Sequence, residues 1–232
     1  LCHTGVVYAR TLGQRTSTFI VSGKLWRNSL IMQDLETGSL WSHVTGQALH
    51  GTAAGRRLEV IPSVQTTWKA WVGKHPETKV LKKDRSITSS VYEGYFEDPD
   101  RIGMFRARWL MEKMPGKALV HGVTRGPHAL AAADTTLENL VTATLGEHTV
   151  VLWRGADGGV RAFLAEVDGV TLELELAPSG AVKDRGTGST WDLIRGVGLS
   201  GALAGRELEE LPVTTAYWFA WSAFYPNTSV MD

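Results

Sequence analysis

The sequence predicts a mainly β fold with a few short helices, and three observations support this class. Short runs rich in β-branched and aromatic residues far outnumber segments with helical periodicity. An Asp-Gly pair at positions 168 and 169 separates two such runs, which is the pattern of a β-hairpin. A repeat of one β-rich unit occupies most of the chain, so we expect two pseudo-symmetric copies sharing one core. An α+β arrangement is the alternative class.

The repeat aligns residues 34–82 with residues 184–232 at a constant shift of 150 positions, without a gap. Twenty of the 49 aligned pairs are identical. Three tryptophans pair in register: Trp41, Trp68 and Trp71 with Trp191, Trp218 and Trp221. Upstream the shift becomes 144, so residues 5–82 correspond to residues 149–232. Because tryptophan is rare, this agreement indicates duplication rather than coincidence.

The repeat divides the chain into a first module at residues 1–82, a connector at 83–117 and a second module at 118–232. The two modules are expected to form one compact unit. The second module opens with an organised stretch, residues 118–146, for which the first module has no room. If the modules are alike, we expect about 30 further residues ahead of Leu1 in the natural protein.

Strands are predicted in the first module at residues 6–10, 16–22 and 29–33. In the second module, residues 160–167 and 170–177 form the predicted hairpin, because Asp-Gly accepts the two positive φ angles of a type I′ turn. The Thr-Gly-Ser segments before Trp41 and Trp191 predict turns into further strands. The remaining predictions are loops at residues 46–55 and 196–205, and short strands at residues 57–61 and 207–211.

Each module is predicted to end in a short helix. In the first, a threonine at position 66 or 67 caps the helix, Trp68 and Trp71 share one face, and His75-Pro76 ends it. The counterpart carries Trp218 and Trp221 and ends at Tyr225-Pro226. Two further helices are predicted, at residues 136–142 behind a capping-box pattern and at residues 104–114 in the connector.

Composition excludes several partners. The 24 Lys and Arg residues balance 24 Asp and Glu residues, so the zero net charge gives no electrostatic reason to expect nucleic acid or an anionic membrane. No apolar run approaches the ~20 residues that span a bilayer. Cys2 is the single cysteine, so no disulfide forms within the chain.

Cys2 and His3 form the most chemically suggestive pair. A thiolate beside an imidazole can bind a soft transition metal such as copper or zinc, or supply a nucleophile. A small buried thiol beside a surface histidine is the plain structural alternative. Gly146 and Glu147 align with this pair, so only the first module carries it.

Histidines are distributed unequally between the modules, whereas turn residues are shared. His43, His50 and His75 align with Leu193, Ser200 and Tyr225. A working copy beside a supporting copy would have this pattern, and so would neutral drift. Asp34, Thr37 and Ser39 occur in both modules, and we predict that they form hydrogen bonds within their own turn.

Several segments in combination resemble the DUF3179 family. They are residues 1–7, 21–25, 28–32 and 34–42, with Gly46-Gln47-Ala48-Leu49-His50-Gly51, Tyr92-Glu93-Gly94-Tyr95-Phe96 and Trp218-Phe219-Ala220-Trp221. The resemblance covers nearly the whole chain. The family is named for its unknown function, and its members are often prokaryotic and exported, which implies a periplasmic or secreted protein.

The resemblance also bears on the candidate site. Members of the family carry a Cys-Pro-Leu-Cys-like segment, of which Leu1-Cys2 is the end. It implies a second cysteine three positions before Cys2, and the resulting CxxC would suit a soft metal or reversible disulfide chemistry. Asn28, Ser29 and Asp34 become ligand-binding candidates beside His43.

Three functions are open at this point. The first is an extracytoplasmic metal-binding or thiol-redox protein centred on Cys2 and His3. The second is a non-catalytic module that binds a glycan, a peptide or a protein partner between Gly-rich loops and tryptophans, a hypothesis that buried tryptophans would weaken. The third is a hydrolase or transferase that uses Asp34 with Ser39 or His43, which no recognised nucleophile motif supports.

Overall fold

A computed structural model describes residues 1–82, 90, 92–105 and 113–231. Across these residues it contains twenty strands and three short helices, so the predicted mainly β class is confirmed. Most strands are short, and nearly all neighbours are antiparallel.

The first 82 residues form two antiparallel sheets and a helix. The elements are β1 (Thr11–Leu12), β2 (Arg15–Thr16), β3 (Phe19–Trp26), β4 (Ser29–Asp34), β5 (Leu40–Ser42), β6 (Ala48–His50) and α1 (Trp68–Lys74). β1 pairs with β2, and β3 to β6 form a meander in which each strand bonds to the next. The Thr67 hydroxyl accepts a hydrogen bond from the Ala70 amide, which confirms the predicted cap of α1.

The connector contains a helix that its charged sequence did not predict, α2 (Glu93–Glu97). Tyr95 is its buried residue, and the Tyr95 hydroxyl donates to the Leu1 carbonyl oxygen over 3.0 Å. The helix predicted at residues 104–114 lies mostly outside the described residues.

Residues 118–231 contain three four-stranded sheets and one two-stranded sheet. The elements are β7 (Leu119–Arg125), β8 (His128–Ala133), β9 (Leu140–Leu145), β10 (His148–Arg154), β11 (Val160–Leu164), β12 (Glu166–Val167), β13 (Val170–Thr171), β14 (Leu174–Leu176), β15 (Val182–Asp184), β16 (Thr190–Asp192), β17 (Val197–Ser200), β18 (Glu210–Leu211), β19 (Val213–Tyr217), α3 (Trp218–Phe224) and β20 (Ser229–Met231). The strand orders of the four-stranded sheets are β18-β11-β10-β9, β14-β15-β16-β17 and β19-β7-β8-β20, in which β20 runs parallel to β8.

The hairpin predicted at Asp168-Gly169 is confirmed between β12 and β13. Val167 lies opposite Val170, and the φ angles of Asp168 and Gly169 are 52° and 79°. Both signs are those of a type I′ turn. The flanking strands are shorter than predicted, because the chain leaves the hairpin after two residues on each side.

The shared turn residues make the same hydrogen bonds in both modules. The Thr37 amide and hydroxyl each lie 2.6 Å from Asp34 Oδ1, and the Ser39 hydroxyl accepts from the Ala53 amide over 3.1 Å. Thr187, Asp184, Ser189 and Leu203 repeat this pattern, with distances of 2.7, 2.7 and 3.1 Å. The predicted turn role of these residues is therefore confirmed locally.

Several secondary-structure predictions are wrong in part or whole. Residues 136–142 do not form a helix: a turn leads into β9, which pairs along its length with β10. The cross-strand pairing outweighs the local capping signal. The predicted loops at 46–55 and 196–205 contain β6 and β17. The strands predicted at 6–10 and 57–61 are reduced to isolated bridges, Tyr8 with Val60 and Gln47 with Arg57.

The largest buried side chains are aromatic and lie mainly in the second module. Trp218, Trp221 and Phe219 from α3 are at most 1% exposed. Trp41 is fully buried beneath the first meander. Trp68 and Trp71 on α1 are instead 55% and 43% exposed, although they align with the buried pair on α3.

Gly51 tests how tightly the shared turn is packed. Its φ angle is +95°, and a Cβ there would lie 2.6 Å from Ser39 Oγ. We expect Gly51→Ala to lower the free energy of unfolding by about 2 kcal/mol or more, because both the backbone angle and the contact oppose a side chain. Urea unfolding followed by tryptophan fluorescence measures this.

Gly73→Ala is the matched control. Gly73 lies in α1 with nothing within 4 Å of the added Cβ. We expect it to raise the free energy of unfolding by about 0.5–1 kcal/mol through helix propensity. Equal stability of the two variants would contradict the tight packing of the turn.

Candidate functional site

Five of the six metal- and ligand-binding candidates named from the sequence line one pocket of about 370 Å³. These residues are Cys2, His3, Asn28, Ser29 and His43. We call it the Cys2 pocket. Leu1, Thr4, Leu25, Leu30 and Phe96 complete its wall. Asp34 does not line it.

The Cys2 thiol lies at the buried side of this pocket. Cys2 is 7% exposed, and its Sγ donates a hydrogen bond to the Asn28 carbonyl oxygen over 3.2 Å. The Cys2 carbonyl oxygen accepts from the Tyr217 amide over 2.9 Å, which holds this segment at the end of β19. Burial raises the pKa of the Cys2 thiol. The group is therefore a protonated thiol at neutral pH.

Asn28 positions the pocket rather than offering free polar atoms to it. It lies in the turn between β3 and β4 with a φ angle of 63°. Its Oδ1 accepts from the amides of Met104 and Phe105 over 3.0 and 2.8 Å, and its Nδ2 donates to the Phe105 carbonyl oxygen over 2.9 Å. The side chain thereby joins the connector to the first meander.

Ser29 is one of two unsatisfied polar groups among the described residues of the pocket, the other being the Thr4 hydroxyl. It is 2% exposed, and its Oγ has no hydrogen-bond partner of normal geometry among the described residues. The hydroxyl lies near enough to Cys2 to have a small lowering effect on the thiol pKa, which burial outweighs. A buried hydroxyl without a partner is costly, so this atom is a natural contact for a bound group.

The two histidines approach the pocket differently. His43 is half-buried, and burial lowers its imidazole pKa, so the ring is neutral at pH 7. His3 is exposed and has a φ angle of 53°. Its ring packs at 5.2 Å from Tyr217 and edge-on at 6.5 Å from Phe96, measured between centroids.

Asp34 has a structural environment. It is 1% exposed, and its Oδ2 accepts from Trp41 Nε1 over 2.8 Å while Oδ1 accepts twice from Thr37. Burial acts to raise its pKa, but the hydrogen bonds from Thr37 and Trp41 outweigh it and the pKa is lowered. The Ser39 hydroxyl is likewise engaged, by Thr37 and the Ala53 amide. These contacts disfavour a hydrolase centred on Asp34 and Ser39.

A partly buried polar network within residues 118–231 has no signature in the sequence. His121 Nδ1 lies 3.0 Å from Thr215 Oγ1, and His121 Nε2 lies 2.8 Å from Asp134 Oδ1. Arg154 donates to the same carboxylate oxygen over 2.9 Å. A neutral ring that donates from Nε2 to the carboxylate and accepts the Thr215 hydroxyl at Nδ1 satisfies both contacts.

This network lies at a pocket of about 330 Å³, which His3 also lines. Burial lowers the pKa of His121, although the Asp134 contact acts in the opposite direction. His121 and Thr215 are direct partners across β7 and β19 but stand 94 residues apart in the chain. Neither has a motif around it, so no local signal could have paired them.

The grouping of possible metal ligands limits which metal sites the described residues could form. Within residues 1–82, 90, 92–105 and 113–231, no three His, Cys, Asp or Glu side chains are grouped so that they could hold one metal ion. None of the described helices is long and apolar enough to cross a membrane.

The chain matches the model of a known protein family. The family model described as "Protein of unknown function (DUF3179)" matches residues 1–228. The chain belongs to the DUF3179 family. No curated protein and no solved structure matches it. The resemblance inferred from its sequence segments is thus confirmed, and the Cys2 pocket is a feature of a DUF3179 protein.

The buried His121 predicts how this DUF3179 protein responds to acid. Because its pKa is lower in the folded state than in the unfolded chain, the unfolded state binds the proton more readily. The contribution of neutral His121 is therefore fully present above a pH of about 6.5 and is lost as the pH falls toward the folded-state pKa.

We expect the free energy of unfolding to fall between pH 7 and pH 5, and His121→Gln to reduce this fall while lowering stability at pH 8. Denaturant unfolding at each pH measures both effects. His50→Gln changes an exposed residue and serves as the control. An unchanged pH profile in His121→Gln would contradict the assignment.

Proposed function

We propose that the Cys2 pocket binds a soft monovalent metal ion, Cu(I), through the Cys2 sulfur and a histidine. The observation that carries this proposal is that Cys2, His3 and His43 line one pocket beside the unsatisfied Ser29 hydroxyl. Sulfur and imidazole nitrogen are ligands that soft transition metals prefer. An extracytoplasmic location belongs to the same proposal and rests on the family resemblance alone.

The protonation states of the pocket determine how an ion would enter. The neutral imidazole of His43 has a free lone pair and needs no proton loss. The Cys2 thiol has a raised pKa, so the ion must displace its proton. Cys–SH and Cu(I) then give Cys–S–Cu(I) and one released proton, without any change of oxidation state.

Coordination number favours Cu(I) over zinc in this pocket. Structural zinc requires four ligands, and catalytic zinc requires three from the protein. The described residues do not gather three such side chains. A thiolate sulfur and one imidazole nitrogen are a sufficient ligand set for Cu(I), and Cys2 with one histidine supplies that pair.

Two rival functions have weaker support. A thiol-redox role needs a second thiol from outside residues 1–232, and the raised pKa of Cys2 makes it a poor nucleophile. A groove that binds a glycan or peptide between paired tryptophans cannot use four of them, because their side chains are buried: Trp41, Trp191, Trp218 and Trp221. Only the α1 pair remains open to a partner.

The proposal predicts which side chains matter for binding. We expect Cys2→Ala to weaken Cu(I) binding at least 100-fold and His43→Asn to weaken it by about 10-fold or more, as loss of ligand-sphere groups does in metal sites. Anaerobic competition against a chromophoric Cu(I) chelator measures the affinities.

His50→Asn is the matched control, since His50 lies outside the pocket lining. It should bind Cu(I) as the parent protein does. Folding of every variant is checked by near-ultraviolet circular dichroism. Parent-like affinity in folded Cys2→Ala would exclude this site.

Proton displacement makes the affinity depend on pH. Below the thiol pKa, the Cu(I) association constant should rise about tenfold for each pH unit, because one proton leaves per ion bound. Competition titrations at pH 6.5, 7.5 and 8.5 test this slope. A pH-independent affinity would show that the thiol is not the ligand.

A further inference from the structure

The two tryptophan helices have the same internal geometry but different surroundings. Trp71 Nε1 donates to Thr78 Oγ1 over 2.9 Å, and its ring lies 4.2 Å from the His75 ring. Trp221 Nε1 donates to Thr228 Oγ1 over 2.9 Å, and its ring lies 4.3 Å from the Tyr225 ring. Both ring pairs are inclined at 34°. α1 therefore has the same conformation as α3, but its tryptophan rings are not covered as those of α3 are.

The β-hairpin of β7 and β8 covers the tryptophan rings of α3. The Trp218 amide donates to the Ala118 carbonyl oxygen over 2.8 Å. Gly122 of β7 lies directly under the Trp221 ring, because a Cβ at this position would overlap the ring carbons. Val120 and Ala131 of the hairpin share a core cluster with Trp218 and Trp221.

The strand ahead of each helix differs in the same way. β19, which leads into α3, pairs along its full length with β7. Its counterpart, residues 63–67, leads into α1 and forms no strand ladder with any described residue. Thr66 Oγ1 bonds to the Asp157 carbonyl oxygen and Lys74 to the Asp157 carboxylate, so the segment is held in place.

We propose that residues 63–67 together with Trp68 and Trp71, the α1 docking face, bind a glycine-bearing β-hairpin of a separate partner protein. One strand of that hairpin pairs with residues 63–67, and a glycine in it lies under the Trp71 ring. This adds a strand to an unpaired edge and covers an apolar helix face in one step. The site is separate from the Cys2 pocket and does not depend on metal binding.

The geometry favours this occupant over two others. A second copy of residues 1–232 has already placed its β7–β8 hairpin on its own α3, so no hairpin of this form is free. A glycan could stack on Trp68 or Trp71 but would leave the amides of residues 63–67 unpaired. A glycine-bearing hairpin satisfies the rings and the backbone together.

The test uses a probe that the chain itself provides. A peptide of residues 119–134, closed head to tail, is designed to keep the hairpin that covers α3, since the Asp134 amide already bonds to the Leu119 carbonyl oxygen over 2.8 Å. Closure reduces the entropy lost on binding. The control peptide carries leucine in place of Gly122, which removes the space for a tryptophan ring.

We expect the glycine peptide to bind the 232-residue protein, to slow hydrogen exchange of residues 63–74 and to shift tryptophan emission to the blue. The leucine peptide and the Trp71→Glu protein should each bind at least tenfold more weakly. No binding at millimolar peptide, equal binding of both peptides, or protection confined to α3 would overturn the proposal. Concentration-dependent dimerisation lost in Trp71→Glu would overturn it too, in favour of a second copy.

Discussion

The sheets β3–β6 and β14–β17, in which each strand bonds to the next, both depend on a buried aspartate at a turn. Asp34 and Asp184 are each 1% exposed, and a carboxylate is stable away from water only when donors surround it. The Thr-Gly-Ser segment that follows each aspartate supplies these donors within a few residues. Each turn therefore forms from local sequence and carries the next tryptophan, Trp41 or Trp191, into the core. The Asp, Thr, Gly and Ser of these turns are among the identical pairs of the two aligned segments.

The Cys2 pocket is assembled from four separate parts of the chain. Cys2 and His3 come from the first segment, Asn28 from the turn between β3 and β4, His43 from the turn after β5, and Phe96 from α2. Asn28 joins two of these parts through its bonds to the connector. Because the pocket needs the connector in place, its shape is a property of the whole fold and not of one module.

The predictions from sequence are correct where neighbouring residues decide the structure, and they fail where residues distant in the chain decide it. The Asp168-Gly169 hairpin was predictable because a two-residue turn is decided by its own φ angles. The helix at residues 136–142 was not, because pairing of β9 with β10 overrides a capping signal that threonine also provides in turns. His121 and Thr215 meet only after two strands pair, so neither local pattern nor spacing announces the network.

The sequence by itself determined the mainly β class and the DUF3179 family, because patterns along the whole chain carry both. It also determined the two aspartate turns and the capped helix α1, because neighbouring residues decide them. Only the tertiary structure decided which tryptophans are buried. Trp68-Trp71 and Trp218-Trp221 share a local sequence, a helix and a ring hydrogen bond, yet only the second pair lies beneath β7 and β8. Burial depends on what packs against a side chain, and the sequence around that side chain does not identify its packing partner.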